Sequence, residues 1–149
     1  MAWTLKKDTL FDKSSKEITY FLPTASDKEK LMIKNGDELI DLIGEFMIGY
    51  DEGKKQGSKK LFEKFNQIID AKADYKIDWT VNPEGELINE NNQVVCIFTS
   101  SDSYNAKLIN YLPIVYDAVQ DLVNDLSSTK GLALKKVYNK VCKFYDKTI

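Results

Sequence analysis

The stretch from Leu108 to Leu126 constrains the fold more than any other part of the chain. Leu108, Ile109, Leu112, Val115, Tyr116, Val119, Leu122, Val123 and Leu126 recur at helical spacing as one continuous apolar stripe, and a helix with such a stripe must be covered by other elements. Ser101-Asp102-Ser103 offers N-caps for a helix beginning near Tyr104. Pro113 lies inside the stripe and predicts a kink or a restart, with the proline in the first turn of the second piece. Ser127-Ser128-Thr129 breaks the pattern and can cap a last helix, whose inner face is Leu134, Val137, Tyr138, Val141, Phe144 and Tyr145.

The rest of the chain supplies two more helices and a set of short strands. Leu39, Ile40, Ile43, Phe46, Met47 and Tyr50, then Leu61, Phe62, Phe65, Ile68 and Ile69, predict helices over about 37–52 and 58–72, with Ser58 as N-cap of the second. A short connection would make them an antiparallel pair. Thr9–Phe11 and Ile18–Leu22 read as strands joined by a polar turn, and Pro23 ends the second. Residues 26–34 are open between two readings: Ser26 with Glu29 is a capping box, whereas Leu31-Met32-Ile33 suits a third strand. Over 76–99 the period changes to two, with Ile77, Trp79 and Val81, then Glu86–Ile88, then Val94–Phe98 separated by turn residues. That is a three-stranded meander, with an exposed edge unless the N-terminal strands cover it. The 149 residues suffice for one core. The expectation is a single α+β domain over 1–149, a small mostly antiparallel sheet packed against four to five helices.

Composition then removes whole classes of chemistry. The chain has no histidine, and all 21 of its basic residues are lysine. A Ser-His-Asp or Cys-His nucleophile, an HExxH zinc site and an arginine finger are therefore excluded within it. Cys96 and Cys142 show no CxxC spacing and read as reduced thiols. A net charge of −2 argues against a nucleic-acid partner. No apolar run approaches the roughly 20 residues of a membrane helix, and a cytoplasmic protein is expected. No catalytic, cofactor-binding or metal-ligating set is identified.

Two candidate sites remain. Gly53, Lys54, Lys55, Gly57, Ser58, Lys59 and Lys60 form a glycine- and lysine-rich loop before a helix, suited to an anion such as a small signalling nucleotide. Its spacing departs from a Walker loop, and a solvated connection accounts for the same residues. Asp117, Asp121 and Asp125, at i, i+4 and i+8, place three carboxylates on one helix face, while Lys136 and Lys140 flank Tyr138 on the last helix. Together these form a candidate partner surface, although pairing between neighbouring helices would also use them. Trp79, Tyr75 and Tyr20 are candidates for interface anchors and equally for core.

Residues 78–126 resemble a recurrent pattern of small bacteriophage accessory proteins. The resemblance is carried by Asp78-Trp79-Thr80-Val81, Glu84–Ile88, Asn91–Val95 and the run Asn105-Ala106-Lys107-Leu108-Ile109 followed by Pro113. In the pattern, Asn-Ala-Arg-Leu-Ile leads through three alanines to the proline; here Asn110-Tyr111-Leu112 replaces the alanines, which makes that helix turn bulkier and works against close packing there. The resemblance implies a non-catalytic accessory protein that binds a host factor, and the leading expectation is inhibition of a defence system by blocking a host defence protein or sequestering a signalling nucleotide. The alternatives are a toxin-neutralising immunity protein and a histidine-independent enzyme using carboxylates and Mg²⁺. Self-association into a homo-oligomer is a further expectation, because two amphipathic C-terminal helices present more apolar face than a small sheet covers.

Overall fold

A computed structural model describes residues 3–51, 58–100 and 103–148, with the side chains of 50, 51, 58, 59 and 146–148 excepted. In chain order the elements are β1 (Thr4–Lys6), β2 (Thr9–Phe11), β3 (Glu17–Phe21), α1 (Asp27–Lys34), α2 (Gly36–Asp51), α3 (Ser58–Ile68), β4 (Thr80–Val81), β5 (Glu86–Ile88), β6 (Val94–Phe98), α4 (Tyr104–Asn124) and α5 (Ser128–Thr148). The α+β expectation holds: a six-stranded antiparallel sheet of order β1-β2-β3-β6-β5-β4 is combined with five helices.

The sheet joins two meanders through its central pair. β3 runs antiparallel to β6 with Thr19 opposite Phe98, Tyr20 opposite Ile97 and Phe21 opposite Cys96. The N-terminal strands thus cover the edge that the second meander would otherwise expose. Across the strands, Leu5, Leu10, Thr19 and Phe98 are successive partners, and Phe21, Cys96 and Leu87 form a second row. Because side chains alternate along a strand, both rows fall on one face, and Leu10, Phe21, Leu87, Cys96 and Phe98 enter the same hydrophobic cluster as the helices. β1 is an element that the sequence reading does not contain; it folds back on β2 through Lys7, which takes a positive φ of 55°. β4 is shorter than expected, because Ile77 N–H bonds Tyr75 O at 2.9 Å and turns the chain before Thr80.

The helices follow their stripes, with one open reading decided and three corrections. Residues 27–34 form a helix, fixed by a complete capping box: Ser26 Oγ accepts from Glu29 N–H at 3.1 Å, and Glu29 Oε1 accepts from Ser26 N–H at 2.8 Å. α3 ends at Ile68 rather than near 72, because Asp70 Oδ1 captures the Lys72 N–H and its carbonyl captures that of Ala73, forming a turn. Ser58 is the first residue of α3, not the residue before it. Pro113 neither ends nor restarts α4, which runs through it for 21 residues. The roughly 3 kcal/mol cost of an interior proline is outweighed by the burial of Leu112, Val115 and Tyr116 around it.

The bulky turn at Asn110–Leu112 also packs more closely than expected. Tyr111 is met edge-on by Phe144, with ring centroids 5.5 Å apart. Leu112 is approached by Gly36, where a Cβ would stand 2.7 Å from Leu112 Cδ1. The space lost to leucine on α4 is returned by glycine at the start of α2. Since Leu112 is wholly buried and has nowhere to retreat, Gly36→Ala is expected to destabilise the fold by about 1–3 kcal/mol. Combining it with Leu112→Ala should recover part of that loss, read as a positive coupling in urea unfolding; strict additivity of the two changes would contradict the contact.

Cys96 is wholly buried, and burial pushes its thiol up to about 12. Of the two cysteines, Ellman's reagent at pH 8 is expected to react in the folded state with no more than the half-buried Cys142. Cys96 should react only after unfolding in guanidinium.

Candidate functional site

α1 stands between two depressions in the surface, and Lys28 and Met32 border both. The larger is a cleft of about 460 Å³ between α1 and the end of α3, lined by Leu31, Met32, Ile68, Ile69, Ala73, Tyr75 and Tyr116, with Lys28 and Asp70 as its charged members. The smaller is a cavity of about 170 Å³ between the start of α1 and the β5–β6 turn, lined largely by Thr24, Ser26, Glu29, Asn89, Asn91 and Gln93, with Met32 and Ile77 as apolar wall.

The cleft is built on α4. Tyr116 is buried, and its hydroxyl donates to Met32 O at 2.8 Å, tying α4 to the last turn of α1. Its ring lies 5.2 Å from that of Tyr75. Gln120 Nε2 donates to Ala71 O at 3.1 Å and also to Ala73 O, and Asn124 Nδ2 donates to Ala71 O at 3.1 Å. These amides strap the 70–74 turn, whose carbonyls have no helix or sheet partner of their own. Asp70 N–H in turn donates to Tyr75 Oη at 2.8 Å. On the opposite lip Leu31 is 56% exposed, so the cleft keeps an apolar residue in water at its mouth. Lys28 Nζ sits 4.9 Å from the Tyr75 ring centroid and donates to Asp74 O at 3.4 Å, fixing the ammonium over the aromatic floor.

The cavity is built on one buried asparagine. Asn89 Oδ1 accepts from Asn91 N–H and Gln93 N–H, each at 2.9 Å, closing the β5–β6 turn. Its Nδ2 donates to Glu29 Oε2 at 3.1 Å, across 60 residues of sequence. Glu29 and Asn89 are 8% and 6% exposed, so the capping carboxylate of α1 doubles as the floor of the cavity.

The structure scatters the candidate residues read from the sequence. Gly53, Lys54, Lys55 and Gly57 lie outside the described residues; Ser58 and Lys59 begin α3, and Lys60 is exposed on its first turn. Asp117 and Asp121 share a face of α4, but Asp125 is the C-cap with extended φ and ψ of −147° and 102°, so it leaves that face. Lys130 pairs with Asp121 at 3.8 Å, the inter-helix alternative to a partner surface. Lys136 and Lys140 are exposed, whereas Tyr138 turns inward to Gly44, where a Cβ would stand 3.0 Å from its hydroxyl. Tyr75 and Trp79 are core residues, and Tyr20 alone of the three aromatics is exposed, at 41%. Among the described residues no group of three or more cysteine, aspartate or glutamate side chains is placed to hold a metal ion, and no helix is long and apolar enough to cross a membrane. Lys28 and Asn89 carry no sequence signal, while Glu29 and Leu31 enter the sequence reading only as a capping-box member and as part of a possible strand, not as site residues.

One oxygen of Asp117 is buried without a hydrogen-bond partner. Desolvation, reinforced by Asp121, raises this carboxyl above its ordinary value of 3.8. A raised acid favours the fold most when protonated, so its contribution is fully present below pH 3.8 and is lost as pH rises through the raised value. Asp117→Asn is therefore expected to be more stable than the parent at pH 7, by up to about 0.5 kcal/mol for so solvent-screened a site. Thermal melts should show that gap closing on acidification; a gap that widens would contradict the assignment.

No protein-family model matches the sequence, and comparison with curated proteins and with solved structures gives no match.

Proposed function

We propose that this chain is a non-catalytic, virus-encoded accessory protein that binds a bacterial host protein and blocks it through the cleft beside α1. The observation that carries the binding class is the cleft itself: about 460 Å³, open, floored by two tyrosines and lipped by an exposed leucine. Buried aromatic floors with an apolar rim suit an inserted side chain from a protein partner. A sequestered nucleotide would call instead for several cations around its phosphates, and the cleft and cavity share a single lysine. The viral assignment rests on the accessory-protein pattern over residues 78–126. Inhibition of a defence system is the reading that joins the two, in the host cytoplasm.

The test is a charge placed at the mouth of the cleft. Leu31→Lys changes an exposed residue and is expected to leave the melting temperature within about 2 °C of the parent. The tagged parent should retain a stoichiometric host protein from bacterial lysate, and Leu31→Lys should lose it at least ten-fold. Lys136→Glu, on the exposed face of α5, should not. A companion held equally by Leu31→Lys would overturn the reading. So would a small added mass in native mass spectrometry that departs on denaturation, or concentration-dependent dimers that Leu31→Lys dissolves.

A further inference from the structure

We infer that the cavity at the start of α1 receives one basic side chain, arginine or lysine, from the protein partner that lies across the cleft; this deepens the docking reading above and rests on it. Glu29 supplies the reason. Its carboxylate is 8% exposed, and no lysine among the described residues forms an ion pair with it. Its partners, the Ser26 N–H and the Asn89 amide, are neutral donors. They occupy two of its roughly four lone-pair sites without cancelling its charge. The N-terminus of α1 offsets part of that charge. A cation brought to the cavity offsets the rest, in surroundings where water screens weakly.

The neighbouring cation cannot do so from where it stands. Lys28 borders the cavity, but its ammonium is drawn to the Tyr75 face and the Asp74 carbonyl, on the cleft side. The cavity therefore faces an incoming group with Glu29 at its floor and exposed Glu90 at its lip. Met32 and Ile77 offer apolar wall for the methylene stem of a long basic side chain. A volume of about 170 Å³ admits such a head group and falls below the roughly 300–1,000 Å³ of small-molecule sites. Since the cavity and the cleft share Met32 and Lys28, the matching ligand is a segment with a basic residue beside an apolar one.

The probe is a short acetylated and amidated peptide with leucines flanking one arginine. Its control carries citrulline, which keeps the shape and most of the donors and removes the charge. Titration of the ¹⁵N-labelled protein should move the side-chain amide signals of Asn89 and Gln93 saturably with the arginine peptide, and at least ten-fold more weakly with citrulline. Glu29→Gln should abolish the difference between the two peptides while keeping the capping bond, because the glutamine oxygen still accepts from Ser26 N–H; its NH₂ gives up the bond from Asn89 Nδ2, so the variant's own amide signals are the reference for its titration. Glu90→Gln, at the exposed lip, should weaken arginine binding a few-fold without bearing on the fold. Equal responses to the two peptides, or full arginine binding in both variants, would overturn the assignment. The two levels fail separately in the lysate: a companion that Leu31→Lys releases, but that Glu29→Gln and Glu90→Gln hold as tightly as the parent, would sink the basic pocket and leave the docking cleft standing.

Discussion

The removal of α4 from water is the constraint on which the rest of the molecule depends. Leu108, Ile109, Leu112, Val115 and Val119 are each wholly buried, and at about 1.5–3 kcal/mol apiece their burial contributes on the order of 10 kcal/mol, comparable to the whole net stability of an ordinary domain. No single neighbour covers so much surface. α4 accordingly touches α1, α2, α3 and α5, and two of these partners adapt to it: α2 with glycine at 36 beside Leu112, α5 with an edge-on phenylalanine at 144 beside Tyr111. The proline within α4 persists because the residues on either side of it are already committed to these contacts.

The same helix organises the candidate site from below. Tyr116 holds α1 by its last turn, and Gln120 and Asn124 hold the 70–74 turn, so both walls of the cleft are anchored to one rigid element. The third side comes from the sheet. Asn89 organises the β5–β6 turn with its oxygen and reaches Glu29 with its nitrogen, which fixes the start of α1 against the second meander. α1, with only eight residues, is too short to be stable alone; its position is imposed by α4 at one end and by Asn89 at the other.

What the sequence made legible was whatever has a local period. The stripes of α2, α4 and α5, the turn residues of the second meander and the capping box at Ser26 all act over a few residues, and all lead to the right element. The failures share the opposite property. The reading left open at Leu31-Met32-Ile33 is closed by the capping box, and the helix is then held in place by contacts of Met32 to Tyr116, 84 residues away, and of Glu29 to Asn89, 60 away. Tyr138 falls both on the inner stripe of α5 and among its lysines, and it is the approach of Gly44 on α2 that takes it inward. Asp125 keeps the spacing of a helical carboxylate, but the chain has already left the helix there to enter α5. The site followed the same rule: a cleft assembled from α1, α3, α4 and the 70–75 turn has no footprint in any one segment.

The central strand pair also has a temporal side. β3 ends at Phe21, and its partner β6 begins at Val94, so a ribosome must add more than 70 residues before the two can meet. At about 5–20 residues per second, one backbone edge of β3 waits unpaired for several seconds while α1, α2 and α3 emerge. During that interval the nascent chain presents a strand edge with exposed Tyr20 beside it, a template for pairing with other chains. The charged residues Lys13, Lys16 and Glu17 at the start of that ribbon act as gatekeepers for the period before the sheet closes.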